Sequence, residues 1–91
     1  MTKDNMLVIL KKDLQMMTKA NDEYLEVLLD YARAAIEKEG IVLTENLECD
    51  MAVIQYAAYL FRKRAGADTA MPRYLRYALN NLLFSQKGAS E

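Results

Sequence analysis

Residues 51–61 read MAVIQYAAYLF and decide the fold class, because ten of these eleven residues are hydrophobic. Gln55 is the single polar residue, so the segment lacks both the alternation of a half-buried strand and the one-sided pattern of a surface helix. Eleven residues are too few to cross a bilayer, and the charged run 62–64 follows at once. We therefore expect a helix that is surrounded by other parts of the protein.

The whole chain is long enough for one domain and no more. Its 91 residues, 53% of them hydrophobic, cannot divide their apolar side chains between two independent cores, and they are too apolar for a disordered protein. The last residues are polar. We expect a single helical domain over residues 1–85 and a flexible tail over residues 86–91.

Helical spacing of the apolar residues extends on both sides of this segment. Glycine and proline occur only at Gly40, Gly66, Pro72 and Gly88, and between them no stretch alternates long enough to predict a strand. The sequence thus predicts an all-α protein, a small four-helix protomer in which the apolar helix at residues 51–61 is central. The connector 41–43 is too short for more than an extended link or an edge strand.

The first two helices follow from this periodicity. The first is expected from about residue 5 to residue 17, and the second from an N-cap at Asn21 to near Gly40. The core face of the first helix would hold Leu7, Leu10, Leu14 and Met17. The core face of the second would hold Leu25, Leu28, Leu29, Ala32, Ala35 and Ile36, with Tyr24, Val27 and Tyr31 as a second apolar stripe beside it.

The last two helices are bounded by capping residues and breakers. Thr44 or Asn46 is expected to cap the third helix, Gly66 to end it, and Pro72 to open the fourth. Leu75, Ala78, Leu79 and Leu82 would form the core face of the fourth helix, with Tyr74, Tyr77 and Phe84 away from that face.

The residue types argue against an enzyme and against a bound metal or cofactor. The chain has no His, and its one cysteine, Cys49, has no imidazole partner to activate it. Glu45, Glu48 and Asp50 lack the spacing of a calcium loop and are interpreted as a solvated acidic turn. We expect no catalytic residue, no cofactor, no metal, no small-molecule substrate and no membrane span. The N-terminal residues do not resemble a secretory signal, so synthesis in a reducing cytoplasm is expected.

Charge is distributed unevenly along the chain. Residues 1–50 carry six basic and eleven acidic side chains, net −5, and residues 51–91 carry six basic and two acidic side chains, net +4. This asymmetry predicts either two solvated faces of opposite sign, or head-to-tail association of copies, or a basic surface that meets an acidic partner. The residues expected on the basic face are Arg62, Lys63, Arg64, Arg73 and Arg76.

Tyrosine is the other prominent residue type, with three pairs on three predicted helices and no tryptophan. A chain this small has difficulty enclosing such wide apolar arcs, and tyrosine is enriched at subunit contacts. We therefore predict a homo-oligomer. Its subunit interface is expected to include Tyr24, Val27, Tyr31, Tyr56, Tyr59 and Tyr77.

A second hypothesis is a small dimeric helical regulator or partner-binding module. Arg73, Arg76 and Asn80 are spaced i, i+3 and i+7 after a short turn, as in a helix that reads a DNA groove. The same arginines would equally suit contact with an acidic protein. A net charge of −1 is unlike the strongly basic footprint of most independent DNA binders.

The order of these features resembles the small head-tail connector proteins of tailed bacteriophages. The resemblance spans most of the chain: LKKDL at residues 10–14, NDEYL at 21–25, ARAAIE at 32–37 followed by Gly40, and FRKR at 61–64, then a polar linker, Pro72 and a closing leucine pair at 82–83. Family members more often carry Tyr where this chain has Phe61, and Thr where it has Glu39. Carried over to this chain, the resemblance covers only the helix-end positions Phe61 and Arg64 and the helix start at Pro72.

The resemblance implies a structural protein of virion assembly. Such a protomer would form a homo-oligomeric ring beneath the portal protein, dock on the portal, meet a tail or second neck protein, and extend the channel of genome passage during head completion and DNA packaging. DNA would pass through the ring without sequence-specific contacts. The expected location is the virion neck, after synthesis in the bacterial host cytoplasm.

Overall fold

Four α-helices make up the regular structure of the described chain. The computed structural model describes residues 1–64 and 70–89, and within these ranges there is no strand. The helices are α1 (Lys3–Asp13), α2 (Asp22–Lys38), α3 (Leu47–Arg64) and α4 (Arg73–Ala89). The predicted all-α class is confirmed. The expected end of the third helix at Gly66 and the start of the linker lie outside the described residues.

The first helix is shorter than the sequence predicts and lies nearer the N-terminus. Thr2 caps it, with its Oγ1 accepting a hydrogen bond of 3.2 Å from the Asn5 amide. The helix ends at Asp13 because Gln15 takes the left-handed conformation, with φ 58°, and the Met16 amide then bonds back to the Lys11 carbonyl at 2.8 Å. The prediction that Met17 lies on the core face is therefore wrong, since Met17 is 94% exposed.

The second and fourth helices present the core faces that their spacing predicts. Asn21 precedes α2 as expected but makes no side-chain capping bond, and the helix is followed by Gly40 with φ +94°. Ala35 and Ala78 are only half-buried. The remaining predicted core residues of the two helices are buried: Leu25, Leu28, Leu29, Ala32 and Ile36 on α2, and Leu75, Leu79 and Leu82 on α4.

The third helix contacts each of the other three. Asn46 caps it, because its Oδ1 accepts a 2.8 Å hydrogen bond from the Cys49 amide. Small side chains at Ala52, Ala57 and Ala58 are buried and leave room for close approach of the neighbouring helices. One side of the segment 51–61 remains partly exposed, where Met51, Gln55, Tyr56, Tyr59 and Leu60 are half-buried.

Ion pairs and hydrogen bonds between elements define how the helices are arranged. Lys3 and Lys11 of α1 pair with Asp30 and Asp22 of α2, each at 2.8 Å, so these two helices are antiparallel. The connector after α2 has no regular secondary structure, and its Ile41 is buried. The helix α4 continues through Ala89, past residue 85 where the sequence placed the end of the domain. The Gln86 side chain accepts from the Val42 amide at 2.8 Å and donates to its carbonyl at 2.6 Å.

Candidate interaction surface

The aromatic and aliphatic residues predicted at a subunit interface divide into two groups in the structure. Val27 and Tyr31 on α2 are each 60% exposed, and Tyr77 on α4 is 65% exposed. Tyr24, Tyr56 and Tyr59 are half-buried. Only the first group presents most of its side chain to solvent, so it forms the better candidate for a contact with another molecule.

Tyr24 packs against two residues of the same chain. Its ring lies 6.2 Å from the ring of Phe61, and the guanidinium of Arg64 lies over its face at 4.7 Å from the ring centroid. These contacts join the start of α2 to the end of α3. Cation–π and aromatic contacts of this kind hold both side chains in place. The pair Phe61 and Arg64, which carries part of the resemblance, therefore has a structural role at a helix end.

Tyr56 and Tyr59 form a second aromatic pair along α3. Their rings are 6.0 Å apart in an edge-to-face arrangement, and the ammonium of Lys63 lies 5.8 Å from the centroid of the Tyr59 ring. Partial burial raises the pKa of the Tyr56 phenol, and the negative charge of Glu39 raises it further. Tyr59 and Tyr31 of α2 also raise this pKa, whereas the positive charge of Arg76 of α4 lowers it. Residues from three helices thus lie near one another around Tyr56.

The basic face predicted from the sequence is partly neutralised by acids of the same chain. Arg62 Nη2 lies 3.0 Å from Asp13 Oδ2, and Arg76 Nη2 lies 2.6 Å from Glu39 Oε1. Both contacts join an acid of the first half to an arginine of the second half. Part of the charge asymmetry is therefore taken up by contacts within a single chain. The Arg76 guanidinium, which the DNA hypothesis would use, is thus already paired with a carboxylate of its own chain.

The acidic turn is not solvated throughout. Glu45 and Glu48 are exposed, whereas Asp50 is 8% exposed and lies 3.2 Å from the amino group of Met1. The prediction is wrong for Asp50 because its position in the first turn of α3 brings the carboxylate against the N-terminal amino group. Among the described residues, no group of three or more His, Cys, Asp or Glu side chains is placed to hold a metal ion.

The exposed face of α4 holds two aromatic residues that the interface prediction left out. Tyr74 is 53% exposed and Phe84 is 66% exposed. With Tyr77 and Asn81 they follow the spacing i, i+3, i+7 and i+10, which places all four on one line along the helix. The spacing is visible in the sequence.

A shallow hollow accompanies the exposed residues of α2. It has a volume of about 230 Å³ and is lined by Tyr31, Ala34, Ala35 and Lys38. A second hollow, of about 300 Å³, lies between α3 and α4, where Gln55 and Asn81 supply its amide groups. Neither hollow brings together a nucleophile and a base.

Comparisons with known proteins add no family to this description. Neither known protein families, nor curated proteins, nor solved structures give a match for this chain. In the part of the chain that the structure describes, no helix has the length and hydropathy needed to cross a membrane. The described geometry is that of a helical domain with one buried apolar core and several large apolar residues exposed on its surface.

Proposed function

We propose that this chain is a structural head-tail connector of a tailed bacteriophage, which assembles into a ring beneath the portal. The observation that carries the proposal is the exposure of large apolar side chains on α2 and α4 although the protomer has a filled core. An apolar surface of this kind is typical of proteins that bind a partner. The sequence resembles the connector family, whose members assemble into rings, and this resemblance supports another copy of the chain as the partner.

The arrangement of α3 supports the same proposal. Met51, Tyr56, Tyr59 and Leu60 remain half-buried in the single protomer. Contact with neighbouring copies would cover this side and make α3 the central apolar helix that its sequence predicts. Repeated head-to-tail contacts close into a ring when the rotation from one subunit to the next permits it. Such a ring would leave a channel for the genome.

Electron microscopy and native mass spectrometry of the purified chain test this function. We expect annular particles with a central opening wide enough for duplex DNA, and a single closed subunit number in the mass spectrum. Only monomers, closed dimers or open filaments, over protein concentrations up to the millimolar range, would contradict it. A separate titration with duplex DNA at low and moderate salt is expected to give no specific complex.

The regulator hypothesis receives less support from the geometry. Of the three residues that would read DNA, Arg76 is ion-paired with Glu39 and Asn80 is half-buried. A DNA complex that survives moderate salt and is lost in Arg73→Ala would favour this hypothesis over the connector, because sequence-specific contacts persist where phosphate contacts weaken.

A further inference from the structure

Two lines of exposed apolar residues lie on different helices of the protomer. The α2 stripe consists of Val27, Tyr31 and Ala34, spaced i, i+4 and i+7. The α4 stripe consists of Tyr74, Tyr77 and Phe84, with Asn81 between the last two. Each stripe follows one side of its helix, away from the residues that face the core. Two such lines on helical elements are suited to side-by-side packing of helices.

The two stripes differ in shape in a complementary way. The α2 stripe holds the hollow of about 230 Å³, which exists because Ala34 and Ala35 are small beside the ring of Tyr31. The α4 stripe projects three large rings, each more than half exposed. An apolar cavity of about 150 Å³ is enough to hold a benzene ring. The hollow on α2 is therefore large enough to take one ring from an α4 stripe.

The two helices also differ in charge. The α2 segment has five acids and two bases, and the α4 segment has three bases and no acid. Asp22 and Asp30 pair with lysines of α1, and Arg76 pairs with Glu39, so the charges left for a second copy are smaller than the formal −3 and +3 but keep their opposite signs. Glu23 lies one turn before Val27, beside the α2 stripe, and Arg73 lies one turn before Tyr77, beside the α4 stripe. Opposite charges flanking apolar surfaces favour the α2–α4 pairing, and like charges disfavour α2–α2 and α4–α4 pairing.

We infer that the α4 stripe of one copy docks on the α2 stripe of a second copy, with a ring of Tyr77 or Phe84 in the hollow beside Tyr31. This inference rests on the proposed function in taking a second copy as the occupant, and it adds which surfaces meet. Each copy carries one stripe of each kind, so the contact is heterologous and every copy can bind two neighbours.

Two variants that block opposite stripes test the inference. Ala34→Lys fills the hollow and places a cation against the basic α4, and Tyr77→Asp places an acid against the acidic α2. Both positions are exposed, so neither change is expected to unfold the protomer. Each variant alone should need at least a tenfold higher concentration than the natural chain for assembly. Val8→Asp, at a half-exposed apolar position on α1, is the matched control and should assemble normally.

The decisive measurement mixes the two blocked variants, one of them labelled with nitrogen-15, in native mass spectrometry. The intact α4 of the Ala34→Lys chain can still dock on the intact α2 of the Tyr77→Asp chain. A 1:1 dimer that contains one labelled chain and grows no further is therefore expected. Assembly of either variant at the natural concentration, or no dimer in the mixture, would overturn the inference.

The outcomes separate this interface from the proposed function. Rings that persist in both variants would be consistent with the connector function but would contradict the α2–α4 contact. If the blocked variants form the mixed dimer but the natural chain forms no rings, the α2–α4 contact is supported and the connector function is contradicted. A natural chain that stays monomeric at millimolar concentration would overturn the contact. Duplex DNA bound by the natural chain and lost in Tyr77→Asp would also overturn it, because nucleic acid would then be the occupant of the α4 stripe.

Discussion

At the scale of single residues, backbone conformation and partial burial have consequences that can be measured. Gly40 follows α2 with φ +94°, a conformation that residues with a Cβ adopt only at a cost. Its amide bonds to the Glu37 carbonyl at 3.0 Å, which ends the helix. Space is not the constraint here, because a Cβ would meet Leu83 at an ordinary contact distance of 3.8 Å.

The substitution Gly40→Ala is therefore expected to lower the free energy of unfolding by about 1 kcal/mol, through backbone strain alone. Urea denaturation measures this change. The control is Gly40→Asn, which should lose less because asparagine tolerates the left-handed region better. Equal stability of Gly40→Ala and the natural chain would contradict the strain argument.

The raised pKa of Tyr56 predicts a loss of stability at high pH. A group whose pKa is higher in the folded chain than in the unfolded chain contributes stability below its unfolded pKa, near 10.0, and loses it as the pH rises through the folded value. The natural chain should thus lose stability relative to Tyr56→Phe as the pH rises above the ordinary tyrosine pKa of 10.0. Urea denaturation of both chains at each pH measures the difference, and parallel pH profiles would show the prediction to be wrong.

At the scale of the elements, the ends of helices are stabilised in different ways. The Asn46 side chain caps α3, and its Nδ2 also donates to Thr44 Oγ1 at 2.8 Å. Asn21 occupies the same position before α2 and makes no such bond. The two asparagines look alike in the sequence, but only one satisfies an amide of its helix.

This difference predicts that Asn46→Ala lowers the free energy of unfolding by about 1 kcal/mol, whereas Asn21→Ala has a smaller effect. Thermal and urea denaturation of the two variants give the comparison. Asn46→Asp keeps an oxygen that accepts from the Cys49 amide and should preserve most of the stability. Equal losses for Asn46→Ala and Asn21→Ala would be evidence against the cap.

At the scale of the whole molecule, α3 connects the other helices through small buried side chains. Ala57 is fully buried on the helix that contacts α1, α2 and α4. Extra methyl and methylene groups at such a position force neighbouring side chains or helices apart.

We expect Ala57→Leu to lower the free energy of unfolding by about 1–3 kcal/mol. The matched control is Ala34→Leu on the exposed side of α2, with a change within about 0.5 kcal/mol. Both are measured by urea denaturation at a concentration where the chain is monomeric, so that assembly does not enter the comparison. If Ala57→Leu were as stable as the control, the packing around Ala57 would be loose enough to accept a larger side chain, contrary to this prediction.

The sequence by itself determined the helical class and most of the core faces of α2 and α4, and it narrowed the cap of α3 to Thr44 or Asn46, because periodicity and capping depend on residues close together in the chain. It could not determine the end of α1, where Gln15 takes a conformation that no local residue signals. Only the tertiary structure decided that Asp50 is buried and that Arg62 and Arg76 pair with acids of the first half. It also decided which tyrosines stay exposed, because each of these outcomes depends on which distant elements pack together.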